Sequence, residues 1–425
     1  MMSFAEWRMW LKSLPWVFKW FTWLVILRPI IDNFYFLKEI SPLLSPLYIV
    51  GVLTPVMLIF SFVSPSFRSK YRSPIGDVLF GLWGSLVFIN AFAIFLSEAS
   101  LDLFGDVIRL TTPVMLFFYL RHMISSRKDL NGVLQAFLIG CIFPAVIFIY
   151  EQIFGAIAPD YLSSGRGGGA RIQGAYADIM SYAIYIVGSF LVVSYFFIRK
   201  LELGIVTRRD FWFLGIVLFI DILGLMAIKQ VSTYSVMAVL IALMLFYLFR
   251  NRRTTVLVLL TLPIIVIVSL KIYESSLGQM VDKEIRVIEG ESDVNRSFNG
   301  RMTRWNKYFD LWAEMPGYSV YFGAPTSGFK EARIMIGGGM HSDYVRNLFL
   351  TGIVGLIIYM LFLLSMFIKS LLLNTYDRYL ALASLMALLL HSVSTTPLLY
   401  VSYFYLLLVI FSFILLPINR INEQA

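Results

Sequence analysis

Apolar runs of helical length, separated by short polar connections, fill almost the whole chain. They fall near 14–36, 44–63, 75–97, 103–120, 131–153, 175–198, 211–229, 232–249, 255–273, 344–369, 379–396 and 398–417. A hydrocarbon core of roughly 30 Å takes about 20 apolar residues per helix, and a membrane-spanning sheet would alternate instead of running continuously. The pattern predicts an all-α polytopic membrane protein of about twelve transmembrane helices, forming one integral membrane domain over 1–425. One long interruption stands out, a polar run over 273–343 that leads into a helix opening His341-Ser342-Asp343-Tyr344-Val345-Arg346. A second, shorter interruption over 154–175 is rich in glycine and arginine.

Composition supports this class, because 59% hydrophobic against 14% charged residues leaves too little polar surface for a soluble globule. The formal charge of +9 does not point to nucleic acid, since Lys and Arg gather in short clusters between apolar runs. Those clusters set an orientation. Arg8 and Lys12; Arg68, Lys70 and Arg72; Arg121, Arg127 and Lys128; Arg199, Lys200, Arg208 and Arg209; Arg250, Arg252 and Arg253; Lys369 and Arg378; and Arg420 all fall on alternate connections. The positive-inside rule makes that side cytoplasmic, with both termini on it and the 273–343 loop outside. The basic N-terminal segment runs into a long apolar stretch without a small-residue cleavage pattern, so it reads as an uncleaved first span. The single cysteine, Cys141, lies within an apolar run and reads as packing, excluding an internal disulfide or a cysteine metal site.

Two connections on the outer side break the charge pattern. The first, Ser163-Ser164-Gly165-Arg166-Gly167-Gly168-Gly169-Ala170-Arg171, places two arginines among glycines whose backbone amides can approach a ligand closely. A guanidinium's planar fork suits phosphate oxygens, although contact with lipid headgroups accounts for the same residues. No strand precedes the segment, so neither a P-loop nor a dinucleotide fingerprint applies. The second is the long loop, where Asn299-Gly300-Arg301-Met302-Thr303-Arg304-Trp305 continues to Trp312 with a helical rhythm. Trp305, Phe309 and Trp312 share one face at spacings of four and three, and Arg301 and Arg304 stand a turn apart. An interfacial amphipathic helix and a site-building helix fit this equally. Met315-Pro316-Gly317-Tyr318 and the stretch from Phe322-Gly323 to Phe329 read as turns.

These residues carry a resemblance. Arg171-Ile-Gln-Gly-Ala-Tyr entering a span, Gly300-Arg301 with Trp305, Phe322-Gly323, His341-Ser-Asp-Tyr and Gly352-Ile-Val-Gly355 resemble, in that order, the O-antigen polymerase and ligase superfamily, most closely its Wzy-type polymerases. The resemblance runs from about Arg166 to Leu356. It implies a GT-C-like membrane glycosyltransferase of the bacterial inner membrane, with its site on the periplasmic side. Its substrates would be undecaprenyl-diphosphate-linked glycans, as donor and as acceptor, and it leaves room for a chain-length regulator as partner. Many members carry a Ser-Arg pair opening the span after the seventh, whereas this chain has Lys229-Gln230-Val231-Ser232-Thr233-Tyr234, which brings Lys229 forward for that place.

The chemistry follows without the name. Glycosyl transfer needs an activated acceptor oxygen, stabilisation of a departing diphosphate and alignment of the two sugars. His341, at the outer membrane boundary, is the candidate base, with sugar positioning or a structural hydrogen bond as the other reading. Asp343, two residues on, is a second catalytic candidate and also fits a helix cap. No acidic cluster on the outer side forms an evident metal site, so no cofactor is expected and arginines take the diphosphate charge. Arg166, Arg171, Arg301 and Arg304 are the first candidates, followed by Arg333 and Arg346. Charges inside spans are functional candidates in their own right. Arg28 and Asp32, four apart, are placed to pair; Arg109, Asp221 and His391 lie deeper, each either fixing helix packing or reaching substrate. The sequence thus points to a polysaccharide polymerase, with an O-antigen ligase acting on lipid A-core or a lipid-linked oligosaccharide flippase as alternatives. A flippase predicts internal repeats around a central polar cavity.

Overall fold

The computed structural model describes the chain except residues 35–36, 42–44, 64–73, 94–100, 156, 158–175, 177–178, 229, 251–254, 256–273, 275–277, 292–296, 325–338, 419–420 and 422–425. The described residues form helices and their connections, with no strand among them. In chain order the helices are α1 (Phe4–Ser13), α2 (Trp16–Asn33), α3 (Leu37–Ile40), α4 (Pro46–Val63), α5 (Ile75–Ala93), α6 (Leu101–Met123), α7 (Arg127–Phe154) and α8 (Ile179–Glu202). There follow α9 (Arg208–Ile228), α10 (Val231–Phe249), α11 (Gly278–Ile288), α12 (Ser297–Ala313), α13 (Gly317–Phe322), α14 (Asp343–Leu371), α15 (Thr375–Ser394) and α16 (Val401–Ile414). Eleven of the twelve expected spans coincide with a helix, and the expected span at 255–273 lies outside the described residues. Among the described residues, seven helices are both long and apolar enough to cross a membrane: α4, α5, α7, α8, α9, α10 and α14. The others are shorter or more polar; α2, for instance, carries Lys19, Arg28 and Asp32. This is a polytopic α-helical membrane protein.

Burial separates the centre of the bundle from its rim. Over its most apolar stretch α8 is 94% buried, whereas α4 is 22% buried and α9 28%. Around α8 pack α7, α9, α10, α15 and α16, while α5 lies along α14 and α6 joins α5 to α16. Close approach of α5 to α6 depends on Gly84, where an added Cβ would lie 2.4 Å from Val114 Cγ1. Phe80 sits at the junction of three helices, its ring 4.0 Å from that of Phe117 on α6 and 5.0 Å from that of Phe362 on α14.

Several polar residues have structural partners that the charge pattern does not reveal. Arg121 and Arg127, counted above among connection charges, are buried in ion pairs, Arg121 Nε with Asp77 at 2.6 Å and Arg127 Nη2 with Asp377 at 2.5 Å. Arg28 and Asp32 do pair, at 2.6 Å, and Tyr185 donates to the other oxygen of Asp32 at 3.1 Å. Asp221 accepts from Ser189 at 2.9 Å, and His391 Nδ1 lies 3.3 Å from Tyr403 Oη. Ahead of the first span, α1 is a separate helix closed by a Ser3–Glu6 capping box. Its buried Trp7 and Trp10 donate to Gly132 O and Asp129 at the start of α7.

Candidate functional site

The segment between the loop and the bundle is organised by two broken backbones. Helix α14 is interrupted at Gly352, with φ 65° and ψ −174°, and α13 ends at Gly323, with φ 95° and ψ 168°. Both conformations belong to a region essentially open to glycine alone. The breaks face each other: a Cβ on Gly352 would meet the Tyr321 carbonyl at 2.3 Å, and one on Gly323 would meet Leu350 O at 2.2 Å. Carbonyls beside the break find donors, with the Ala324 N–H on Phe349 O at 2.9 Å and Asn90 Nδ2 of α5 on both Phe322 O and Leu350 O at 2.8 Å. The turn expected at 315–318 is non-helical only to Pro316, and Gly317–Phe322 does not continue as a turn. It is instead a short helix begun after Pro316, which fixes the chain's direction at helix entry.

Helix α12 rests on the start of α14. Its inner face is Trp305, Tyr308, Leu311 and Trp312, which with Met315 just past its end pack on Met340, Val345 and Phe349. The expected face contained Phe309, which is 42% exposed, and Tyr308 takes its place. Spacings of three then four and four then three are both helical, and the partner decides: the Tyr308 ring meets Phe349 edge-on at 5.5 Å. Trp305 Nε1 donates to Met340 O at 2.8 Å, tying α12 to the residue before His341. Arg301 and Arg304, on this helix, are both partly exposed.

His341 is exposed and has φ 47°, the one positive φ at a non-glycine residue among those described. Such a conformation is tolerated by His, Asn and Asp but is rare, and marks a position held by its surroundings. Two residues on, Asp343 is fully buried, and its carboxylate does not cap α14. It accepts from the Leu398 N–H at 3.0 Å, while the Asp343 N–H donates to Thr395 O at 3.2 Å. Ser342 Oγ donates to Ser392 O and Tyr344 Oη to Leu389 O. The start of α14 is therefore bound to the strap 395–400 that joins α15 to α16.

The strap also reaches Arg109, whose Nη2 donates to Leu399 O at 3.4 Å. Arg109, Arg346 and Asn347 line one narrow cleft, closed on its other sides mainly by apolar side chains including Trp83, Leu350 and Phe404. The three lie at graded depth: Arg109 is exposed, Arg346 half-buried and Asn347 buried. Of the proposed site residues, then, the structure brings Arg109 and Arg346 together, and His341, Arg301 and Arg304 do not line their cleft. Arg166, Arg171, Arg333 and Lys229 lie outside the described residues. Arg28 and Asp32 hold each other within α2. Among the described residues no three His, Cys, Asp or Glu side chains converge as metal ligands. Sequence reading missed Asn347, Trp83 and the strap. Asp343, Asn347 and Thr351 do form a polar stripe at spacings of four on a mostly apolar helix, and all three are buried.

Residues 214–360 match the O-antigen ligase family model. The match is consistent with the resemblance carried by the order of the motifs. It begins in α9 and ends within α14, so it contains Arg301, Arg304, His341, Asp343, Arg346 and Asn347 but not Arg109. Over that segment the chain is similar to the O-antigen ligase family. A search of curated proteins gives no match.

Proposed function

We propose that this protein is a membrane glycosyltransferase that joins undecaprenyl-diphosphate-linked oligosaccharide repeat units into a surface polysaccharide, on the periplasmic face of the inner membrane and without a metal ion. The observation that carries this reading is the convergence of Arg109 and Arg346 on one cleft, Arg346 standing five residues after His341 in the chain. An acceptor hydroxyl attacks the anomeric carbon of the donor sugar, the bond from that carbon to the diphosphate oxygen breaks, and the diphosphate leaves on its lipid. His341 takes the hydroxyl proton, and the guanidinium groups neutralise charge that grows on the departing diphosphate. Arginine suits the second task because it stays cationic and offers paired donors. Asp343 supports the reaction by holding the strap, and Arg301 and Arg304 on α12 are further cationic candidates for the diphosphate.

The family description favours a second reading, transfer of finished polymer to lipid A-core by an O-antigen ligase. The product made by a deletion strain separates the two. Loss of a polymerase leaves acceptors capped with single units, and loss of a ligase leaves long polymer unattached. Complementation with Arg346→Ala should reproduce the deletion phenotype with normal protein in the membrane; full restoration by that variant would remove the diphosphate assignment.

A further inference from the structure

The cleft is lined by Asn347, whose side-chain amide is oriented by a neighbouring wall residue, Trp83. Asn347 is 2% exposed, and its Oδ1 accepts from Trp83 Nε1 at 3.2 Å. An indole N–H only donates, so the amide oxygen must face Trp83 and Nδ2 must face the other way. Trp83 is itself held, its ring 5.2 Å from that of Tyr359 and 5.1 Å from that of Phe80. Asn347 Nδ2 is buried and has no hydrogen-bond partner among the described residues. Asp343 Oδ1, one turn earlier on the same helix, is also without a partner, so the two groups do not satisfy each other. A buried amide N–H left without an acceptor is costly enough that such groups are almost always paired or hydrated.

The neighbours define which acceptor suits it. Arg109 and Arg346 line the same cleft, and a group taken up between two guanidiniums and an amide donor is an anionic oxygen. We propose that Asn347 Nδ2 is a third donor to a phosphoryl oxygen of the substrate diphosphate, and that Trp83 is the positioning residue that sets the amide. This rests on the lipid-diphosphate reading of the cleft. The arginines supply charge from long flexible stems, while Asn347, buried at the cleft lining, supplies a neutral donor of fixed direction.

Binding of undecaprenyl diphosphate to the purified full-length protein in lipid nanodiscs tests this, with thermal unfolding followed on each variant. A hydrogen bond to a charged group corresponds to about a ten- to hundredfold change in Kd. Asn347→Asp, which keeps the acceptor for Trp83 but removes the donor, should weaken binding by that amount. Asn347→Leu, which brings no buried charge, should do likewise and covers the case in which Asn347→Asp fails to fold. Trp83→Phe should weaken binding less. In the Asn347→Leu background it should cause no further loss, because the amide it orients is gone; additive losses would assign Trp83 to general packing. Binding by both Asn347 variants within about twofold of wild type, with Arg346→Ala binding lost, would overturn the assignment to Asn347 and leave the diphosphate reading standing. Normal binding by Arg109→Ala and Arg346→Ala as well would overturn the diphosphate reading itself.

Discussion

Gly323 and Gly352 are reciprocal breaks: each presses against the backbone immediately ahead of the other, so neither has room for a Cβ. The contact seats α13 in the elbow of α14, and Asn90 Nδ2 closes it by donating to a carbonyl on each side. The first turns of α14, which carry Arg346 and Asn347, thereby take their direction from a backbone lock.

Gly352→Ala should therefore destabilise the protein by about 1–3 kcal/mol from backbone conformation alone, with further loss from displacing Tyr321. Gly215→Ala is the control, since that glycine lies within α9 with open space where its Cβ would be, and the change should be neutral or stabilising. Thermal unfolding of the detergent-solubilised variants measures both. Equal melting temperatures for the two would remove the lock.

The pair Arg127–Asp377 joins α7 to α15, with Arg127 also donating to Tyr376 Oη and Ile421 O. Asp377→Ala leaves a guanidinium buried without its counter-charge and should cost about 3–5 kcal/mol. Combining Arg127→Met with Asp377→Leu removes both charges and should recover much of that loss. Yield of monodisperse protein and the unfolding temperature report the effect. A double variant less stable than Asp377→Ala would show that hydrogen bonds to Tyr376 and Ile421 dominate the site.

His341 combines a candidate chemical role with an unusual backbone. Asparagine accepts a positive φ but is no base at neutral pH, whereas alanine is strained there. His341→Asn should keep wild-type stability and lose polymer formation, and His341→Ala should lose both polymer and about 1 kcal/mol of stability. Polymer length in a complemented deletion strain, beside the unfolding temperature, separates the effects. Polymer of normal length from His341→Asn would limit His341 to shaping the turn.

The spans were legible because continuous hydrophobicity over helical lengths has one cheap solution in a bilayer. The Arg28–Asp32 pair was legible because both residues sit on one helix, four apart. The cleft was not. Arg109 and Leu399 are 290 positions apart, and Trp83 and Asn347 are 264 apart, so only the packing of α5, α6 and α14 brings these groups to one place. The face of α12 shows a subtler limit. Tyr308 and Phe309 both continue a helical stripe from Trp305, and the choice between them depends on Phe349 in a different helix.

Asp343 tests whether that assembly matters to the reaction. Read from sequence it is a catalytic candidate; in the fold its Oδ2 holds the Leu398 N–H, and the next residue's carbonyl, Leu399 O, holds Arg109. An asparagine at 343 still offers an oxygen to that N–H, while alanine releases the strap. If Asp343 works through the strap, Asp343→Asn should retain most activity. Asp343→Ala should then raise KM for the lipid-linked donor by about tenfold or more, in line with losing a hydrogen bond to a charged group. Initial rates with purified protein in nanodiscs, over a range of donor concentrations, give kcat and KM separately. If Asp343→Asn instead loses kcat as completely as Asp343→Ala, with KM unchanged in both, the carboxylate itself takes part in the chemistry and the strap is only scaffold.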